Sequence, residues 1–189
     1  MRTLKFAYLL GKTATLVNTT WHETNRVQKR NRRIGTSVSG VTNFLHHHSL
    51  NTFKVWLESG YKEIQRWDGI YSSWLCVPKS IKTTSVKPSG TVSLLAGVNP
   101  GCHFPENNYY TRRVRIAKTS HLVPILEKAG LNIEDDVVDA SSKVVSFPVH
   151  TEGRNLSDVS IWEQTALAVF LQKYWSDNQV SCTVTFQPH

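Results

Sequence analysis

Between residues 51 and 75, Phe53, Trp56, Leu57, Tyr61, Ile64, Trp67, Tyr71, Trp74 and Leu75 recur at intervals of three and four. Side chains at that spacing share one side of an α-helix, so the stretch predicts a long amphipathic helix with a wide apolar face. Pro78 follows and helps to end it. An aromatic stripe at helical spacing reads as core packing, not as a cofactor box. Such a face has to be covered, which requires further layers from the rest of the chain.

Those layers are legible in outline. Residues 4–17 predict a helix with Leu4, Tyr8 and Leu16 among its core positions, and Glu23 to Arg32 a polar, basic one. Ile34-Gly35-Thr36-Ser37-Val38-Ser39-Gly40 is a glycine-bounded stretch that suits a strand or tight turn. Residues 41–48 predict another helix, ending in His46-His47-His48. Further on, Ile81 to Val86 reads as a strand, Lys87-Pro88-Ser89-Gly90 as a turn and Thr91 to Ala96 as a short helix. Tyr110, Arg112, Val114 and Ile116 alternate with Tyr109, Thr111, Arg113 and Arg115, as in a strand. A helix over 120–130 closes at Gly130, a strand carries Val145, Phe147 and Val149, and Asp135-Asp136 falls in a loop between them. Ser160 with Glu163 forms a capping box for a helix bearing Trp162, Ala166, Val169, Phe170 and Tyr174 on one side. Finally, Val180, Cys182, Val184 and Phe186 alternate with Ser181, Thr183 and Thr185, which predicts a strand that buries Cys182. Helices alternating with strands predict an α/β fold with partly parallel strands. No repeat or low-complexity linker marks a boundary, so 1–189 is read as one portion without an internal domain boundary.

Composition narrows the function. With 40% apolar and 19% charged residues the chain can bury a core, which excludes wholesale disorder. No apolar run approaches the roughly 20 residues that cross a bilayer, and the start lacks a signal-peptide apolar region. The three cysteines, Cys76, Cys102 and Cys182, are far apart and read as reduced thiols of a cytoplasmic protein. Adjacent histidines on a helix diverge by about 100°, so His46-His47-His48 cannot converge on one metal ion. Lys and Arg total 22 against 14 Asp and Glu, a net +8 that points to nucleic acid, an anionic surface or a phosphorylated small molecule. The basic residues are spread, with denser spots at Arg26 to Arg33 and Arg112 to Arg115, which reads as solvated surface.

The sharpest local feature is Thr84-Ser85-Val86-Lys87-Pro88-Ser89-Gly90-Thr91-Val92-Ser93. A strand there leads through a Pro-Ser-Gly-Thr turn into a helix, whose free N–H groups and dipole can cradle a phosphate. Gly90 allows close backbone approach, and the hydroxyls of Ser89, Thr91 and Ser93 add donors. The same pattern also describes a serine or threonine cap with no ligand.

Val86-Lys87-Pro88-Ser89-Gly90-Thr91-Val92-Ser93-Leu94-Leu95-Ala96-Gly97 closely resembles the phosphate-loop region of adenosylcobalamin-dependent ribonucleotide reductases. The resemblance extends to His103-Phe104, to Arg112-Arg113-Val114-Arg115-Ile116, and upstream to Asn31-Arg32-Arg33-Ile34-Gly35 with Ser37-Val38-Ser39-Gly40. Downstream it includes Tyr174-Trp175-Ser176-Asp177-Asn178 and Val180-Ser181-Cys182-Thr183-Val184-Thr185-Phe186-Gln187. The wording is most similar to the monomeric branch that reduces ribonucleoside triphosphates.

That resemblance implies a barrel of parallel and antiparallel strands, with the substrate phosphates held at Ser89, Gly90, Thr91, Val92 and Ser93. It implies adenosylcobalamin as cofactor, thiyl radical chemistry, a ribonucleoside triphosphate substrate and a thioredoxin-like reductant, with no nucleic-acid or membrane partner. In the family the thiyl cysteine stands in an Asn-Pro-Cys-Gly-Glu motif that does not occur here, so no catalytic residue is assigned. The chain is expected to be a C-terminal portion of the barrel, inactive by itself. The large subunit of a metal-radical reductase is the rival within the class. A basic nucleic-acid-binding module is the rival outside it.

Overall fold

The computed structural model describes residues 2–90 and 92–186. In chain order the elements are α1 (Arg2–Ala14), α2 (His22–Asn31), β1 (Thr36–Ser37), α3 (Val41–His47), α4 (Leu50–Trp74), β2 (Thr84–Ser85) and α5 (Val92–Leu95). There follow β3 (Tyr109–Ala117), α6 (Leu122–Lys128), β4 (Asn132–Asp135), β5 (Ser142–His150), a single 3-10 turn (Leu156–Asp158) and α7 (Ile161–Tyr174). Helices thus accompany one parallel and two antiparallel strand pairings, the expected α/β class. No helix among the described residues is long and apolar enough to cross a membrane. The residues pack as two compact units, Met1–Pro105 with Gly153–His189, and Glu106–Glu152.

The first unit is built on α4. Ser49 Oγ caps it by accepting the Thr52 N–H at 3.1 Å, and its buried stripe runs through Phe53, Leu57, Gly60, Ile64, Asp68 and Tyr71. The stripe is narrower than the aromatic pattern predicts: Trp56 and Trp74 are 59% and 68% exposed. Periodicity locates an apolar side, but only the packed neighbours decide how much of it is covered. Gly60 has a packing reason, since a Cβ there would lie 3.1 Å from Leu4 Cδ1 and 3.2 Å from the Trp175 ring.

α1 crosses α4 through a buried polar cluster. Lys12 Nζ donates to Asp68 Oδ1 at 2.8 Å and to the Pro78 carbonyl and Ser80 Oγ at 3.0 Å, which satisfies all three of its donors. The Tyr8 hydroxyl lies 2.7 Å from the same carboxylate oxygen. Burial alone would raise the Asp68 carboxyl, but hydrogen bonds from Lys12 and Tyr8 outweigh it and hold the group below the usual carboxylate range. Leu16, predicted as core, is exposed because α1 ends at Ala14.

β1 and β2 pair in parallel, Thr36 with Thr84 and Ser37 with Ser85. Residues 178–181 run along the other side of β2, with Asn178 N–H on the Thr84 carbonyl at 3.1 Å and Ser181 N–H on the Val86 carbonyl at 2.9 Å. The alternation at 180–186 predicts a strand, yet no ladder forms among the described residues and Cys182 is exposed. Its amides instead meet side chains: Val180 N–H donates to Gln172 Oε1, Thr183 N–H to His103 Nε2 and Thr185 N–H to Gln164 Oε1. The capping box of α7 forms as expected, with Glu163 N–H on Ser160 Oγ at 3.2 Å and Ser160 N–H on Glu163 Oε2 at 3.0 Å. The helix buries Gln164, Leu167 and Leu171, whereas Trp162 and Val169 of the predicted face are exposed. α7 carries apolar residues all round, so its sequence does not single out an inner face.

The second unit is an antiparallel sheet of order β3-β5-β4 with α6 beside it in sequence. Val123, Val144 and Val145 are its buried apolar residues. Gly130, with φ 78°, supplies the left-handed residue that closes α6. β4 is the unforeseen strand: Asp135, placed in a loop by the pattern, pairs with Lys143. Asn-Ile-Glu-Asp has little intrinsic strand preference, and its ladder is imposed by β5.

Candidate functional site

The polypeptide leaves β2 through fully buried Val86 and passes exposed Lys87 and Pro88 to half-buried Ser89 and Gly90. Ser89 holds φ 53°, a left-handed conformation that non-glycine residues rarely adopt. Its carbonyl accepts the Ser93 N–H at 3.0 Å and so opens the turn of α5. A Cβ added at Gly90 would meet no atom within 4 Å, so protein packing does not demand a glycine there. Thr91 lies outside the described residues. Val92 is 66% exposed, while Ser93 is 2% exposed, and Ser93 Oγ is buried with no hydrogen-bond partner among the described residues. Buried hydroxyls normally find partners, so an orphan marks a place where a water or ligand atom fits.

α5 has only four residues, so its dipole contributes little. The groups this turn offers to an anion are instead backbone N–H groups and hydroxyls. Lys87 adds an exposed cation beside them.

The loop is held from behind by residues 37–43 and 97–101. Lys87 N–H donates to Ser37 Oγ at 3.1 Å and Gly101 N–H to Ser39 Oγ at 3.3 Å. Asn99 joins its N–H to Asn43 Oδ1 at 2.8 Å, its side-chain amide to Thr42 Oγ1 at 2.9 Å and its carbonyl to the Gly40 N–H at 2.8 Å. Gly101, at φ 53°, passes so close to the loop that a Cβ would lie 2.5 Å from the Lys87 carbonyl oxygen. The predicted positions are contiguous in sequence, and Ser37, Ser39, Asn99 and Gly101 join the described part of the loop through the fold. Ser37 and Ser39 stand two apart between Gly35 and Gly40, a readable hint of two hydroxyls on one side. Nothing local marks Gly101, whose need arises only from Lys87.

Cys102 is buried, and burial followed by the charge of Cys182 pushes its thiol up to about 11. A thiol so raised is a poor nucleophile at neutral pH. Cys76 and Cys182 are exposed, free thiols.

No protein-family model matches the chain. It is 52% identical over 190 residues to the probable adenosylcobalamin-dependent ribonucleoside-triphosphate reductase of Dictyostelium discoideum, covering 100% of the chain and 25% of that relative. With the adenosylcobalamin-dependent ribonucleoside-triphosphate reductase of Euglena gracilis it shares 50% identity over 99% of the chain and 26% of the relative. Its fold is similar to the crystal structure of a B-12 dependent (class II) ribonucleotide reductase, with a TM-score of 0.84 and 32% identity, over 98% of this chain and 30% of that one. The chain thus spans about a quarter of the length of these curated relatives.

Proposed function

We propose, for a chain that belongs to the adenosylcobalamin-dependent ribonucleoside-triphosphate reductase family, that Ser89, Gly90, Thr91, Val92 and Ser93 receive the phosphates of a ribonucleoside triphosphate. The observation that carries the reading is the orphaned, buried Ser93 hydroxyl in a loop whose glycine faces open space. In this reading the loop binds and orients the nucleotide, with backbone N–H groups and hydroxyls on the phosphate oxygens. The complete enzyme, of which this chain is a C-terminal portion of the barrel, reduces ribonucleotides in the cytoplasm with electrons from a thioredoxin-like protein. The relatives' names favour it over a metal-radical large subunit.

Adenosylcobalamin supplies radical chemistry when bound. The open groove of about 1070 Å³ at α1, α2 and β1 is lined largely by small and aliphatic side chains. No residue of this chain is assigned to the cofactor. On β3, Arg113 and Arg115 are ion-paired with Glu134 and Asp136.

Gly90→Val in the complete enzyme is expected to block nucleotide binding by crowding the phosphates. Thr91→Val removes one donor to a charged group, worth about 1.5–3 kcal/mol, so affinity or turnover should fall roughly 10- to 150-fold. If only thermal stability falls, the segment is a helix cap and the phosphate reading fails. The purified chain alone, given CTP, adenosylcobalamin and a dithiol, is expected to yield no deoxynucleotide.

A further inference from the structure

We propose that Trp175, Asp177 and Asn178, which lie outside the loop, set its position by clamping both strands of the parallel pair from which it emerges. The inference rests on the phosphate-binding reading above and adds the residues that give the loop its geometry. It starts from a weakness: β1 and β2 share two residue pairs, too short a ladder to hold itself. What completes it is a set of side chains from the end of α7.

Trp175 is 3% exposed, and its indole N–H is shared between one carbonyl of each strand, 3.0 Å from that of Ser85 and 3.3 Å from that of Thr36. Asn178 does much the same with its side-chain amide, which donates to the Thr84 carbonyl of β2 at 2.6 Å and, just before β1, to the Ile34 carbonyl at 3.0 Å. Asp177 fixes the entry to β2: Oδ2 accepts both the N–H and the hydroxyl of Thr83 at 2.8 Å, and Oδ1 accepts the Tyr61 hydroxyl of α4 at 2.8 Å. Thr84 Oγ1 closes the set, donating to the Trp175 carbonyl at 2.5 Å and accepting the Asp177 N–H at 3.0 Å.

Each residue type is the one its place needs. Tryptophan brings a donor without an acceptor, asparagine two donors on one atom, and aspartate two acceptor oxygens. Burial would raise the Asp177 carboxyl, but the Thr83 N–H, the Thr83 hydroxyl and the Tyr61 hydroxyl outweigh it and keep it ionised. The bonds end at Ser85, so Val86 to Ser93 leaves from a fixed point. None of the three residues is placed on the nucleotide. They are positioning residues.

The test uses the complete enzyme and three variants: Trp175→Phe, which keeps the ring but removes the N–H; Asn178→Asp, which sets a carboxylate against two carbonyls; and Gly90→Val on the loop itself. KM for CTP, kcat at saturating CTP, the inhibition constants of inorganic tripolyphosphate and of cytidine, and Tm are measured for each. Trp175→Phe should raise KM for CTP and the tripolyphosphate constant together by roughly 3- to 10-fold, and Asn178→Asp by more. Both should leave kcat within about two-fold and the cytidine constant unchanged, the pattern of lost uniform binding. Equal losses for CTP and cytidine, or a fall in Tm alone, would show a merely structural role and overturn the inference. If Gly90→Val raises KM while the two clamp variants bind CTP normally, the clamp falls and the phosphate loop stands. If Gly90→Val binds CTP normally, the phosphate reading itself falls and takes the clamp with it. Should Asn178→Asp not fold, Trp175→Phe decides.

Discussion

The two sheets solve the same problem in opposite ways. β3 and β5 share nine residue pairs, and β5 carries four more with β4, so a long run of backbone pairing joins that sheet. β1 and β2 share two pairs and are held by side chains from residues far away in sequence. Their ion pairs differ likewise. Arg113 and Glu134 on the long sheet are 59% and 47% exposed, whereas Lys12 and Asp68 in the short pair's unit are 0% and 3% exposed. A long ladder tolerates changes in its side chains, and a short one depends on particular ones. The candidate loop is mounted on the second kind, where a few substitutions can shift its geometry.

The largest expected effect is at the buried pair. Lys12→Met leaves the Asp68 carboxylate unpaired and should destabilise α1 and α4 by about 3–5 kcal/mol, seen as lost hydrogen-exchange protection of their amides. Unchanged protection there would break the contrast at its strongest point. Gly101→Ala comes next, because it combines a positive φ with a 2.5 Å approach to the Lys87 carbonyl oxygen. A cost of about 2–3 kcal/mol is expected in chemical unfolding, together with faster exchange at Lys87 and Ser93.

Acidification sharpens the comparison further. Asp68 and Asp177 both titrate below their ordinary value when folded. Their stabilisation is therefore complete above the unfolded value of about 3.9, and it is lost as pH falls through the depressed folded values. Amides of β1 and β2 should then exchange faster before those of β3 and β5, whose nine-pair ladder of backbone hydrogen bonds does not depend on one carboxylate. The smallest effect is expected for Arg113→Ala, which breaks an exposed pair and should change stability by no more than about 1 kcal/mol. A loss of several kcal/mol there would show that the long sheet also relies on its side chains.

By itself the sequence determined what depends on near neighbours along the chain. The helical stretch beginning at Leu50, the Ser160–Glu163 capping box, the stop at Gly130 and the strand at Tyr109 to Ala117 all follow from spacing within a few residues. The candidate loop was legible for the same reason, since Ser89 to Ser93 are consecutive, and the resemblance over four blocks of sequence led to the family. Tertiary structure alone decided which faces are covered. It left Trp56, Trp74 and Cys182 exposed, chose Gln164, Leu167 and Leu171 as the inner side of α7, and made a strand of Asn132–Asp135. It also brought Ser39, Gly101, Trp175 and Asn178 to the loop and its two strands. Periodicity fixes the direction of a side chain relative to its own element, but its partner depends on which distant element packs there, and no local pattern carries that information.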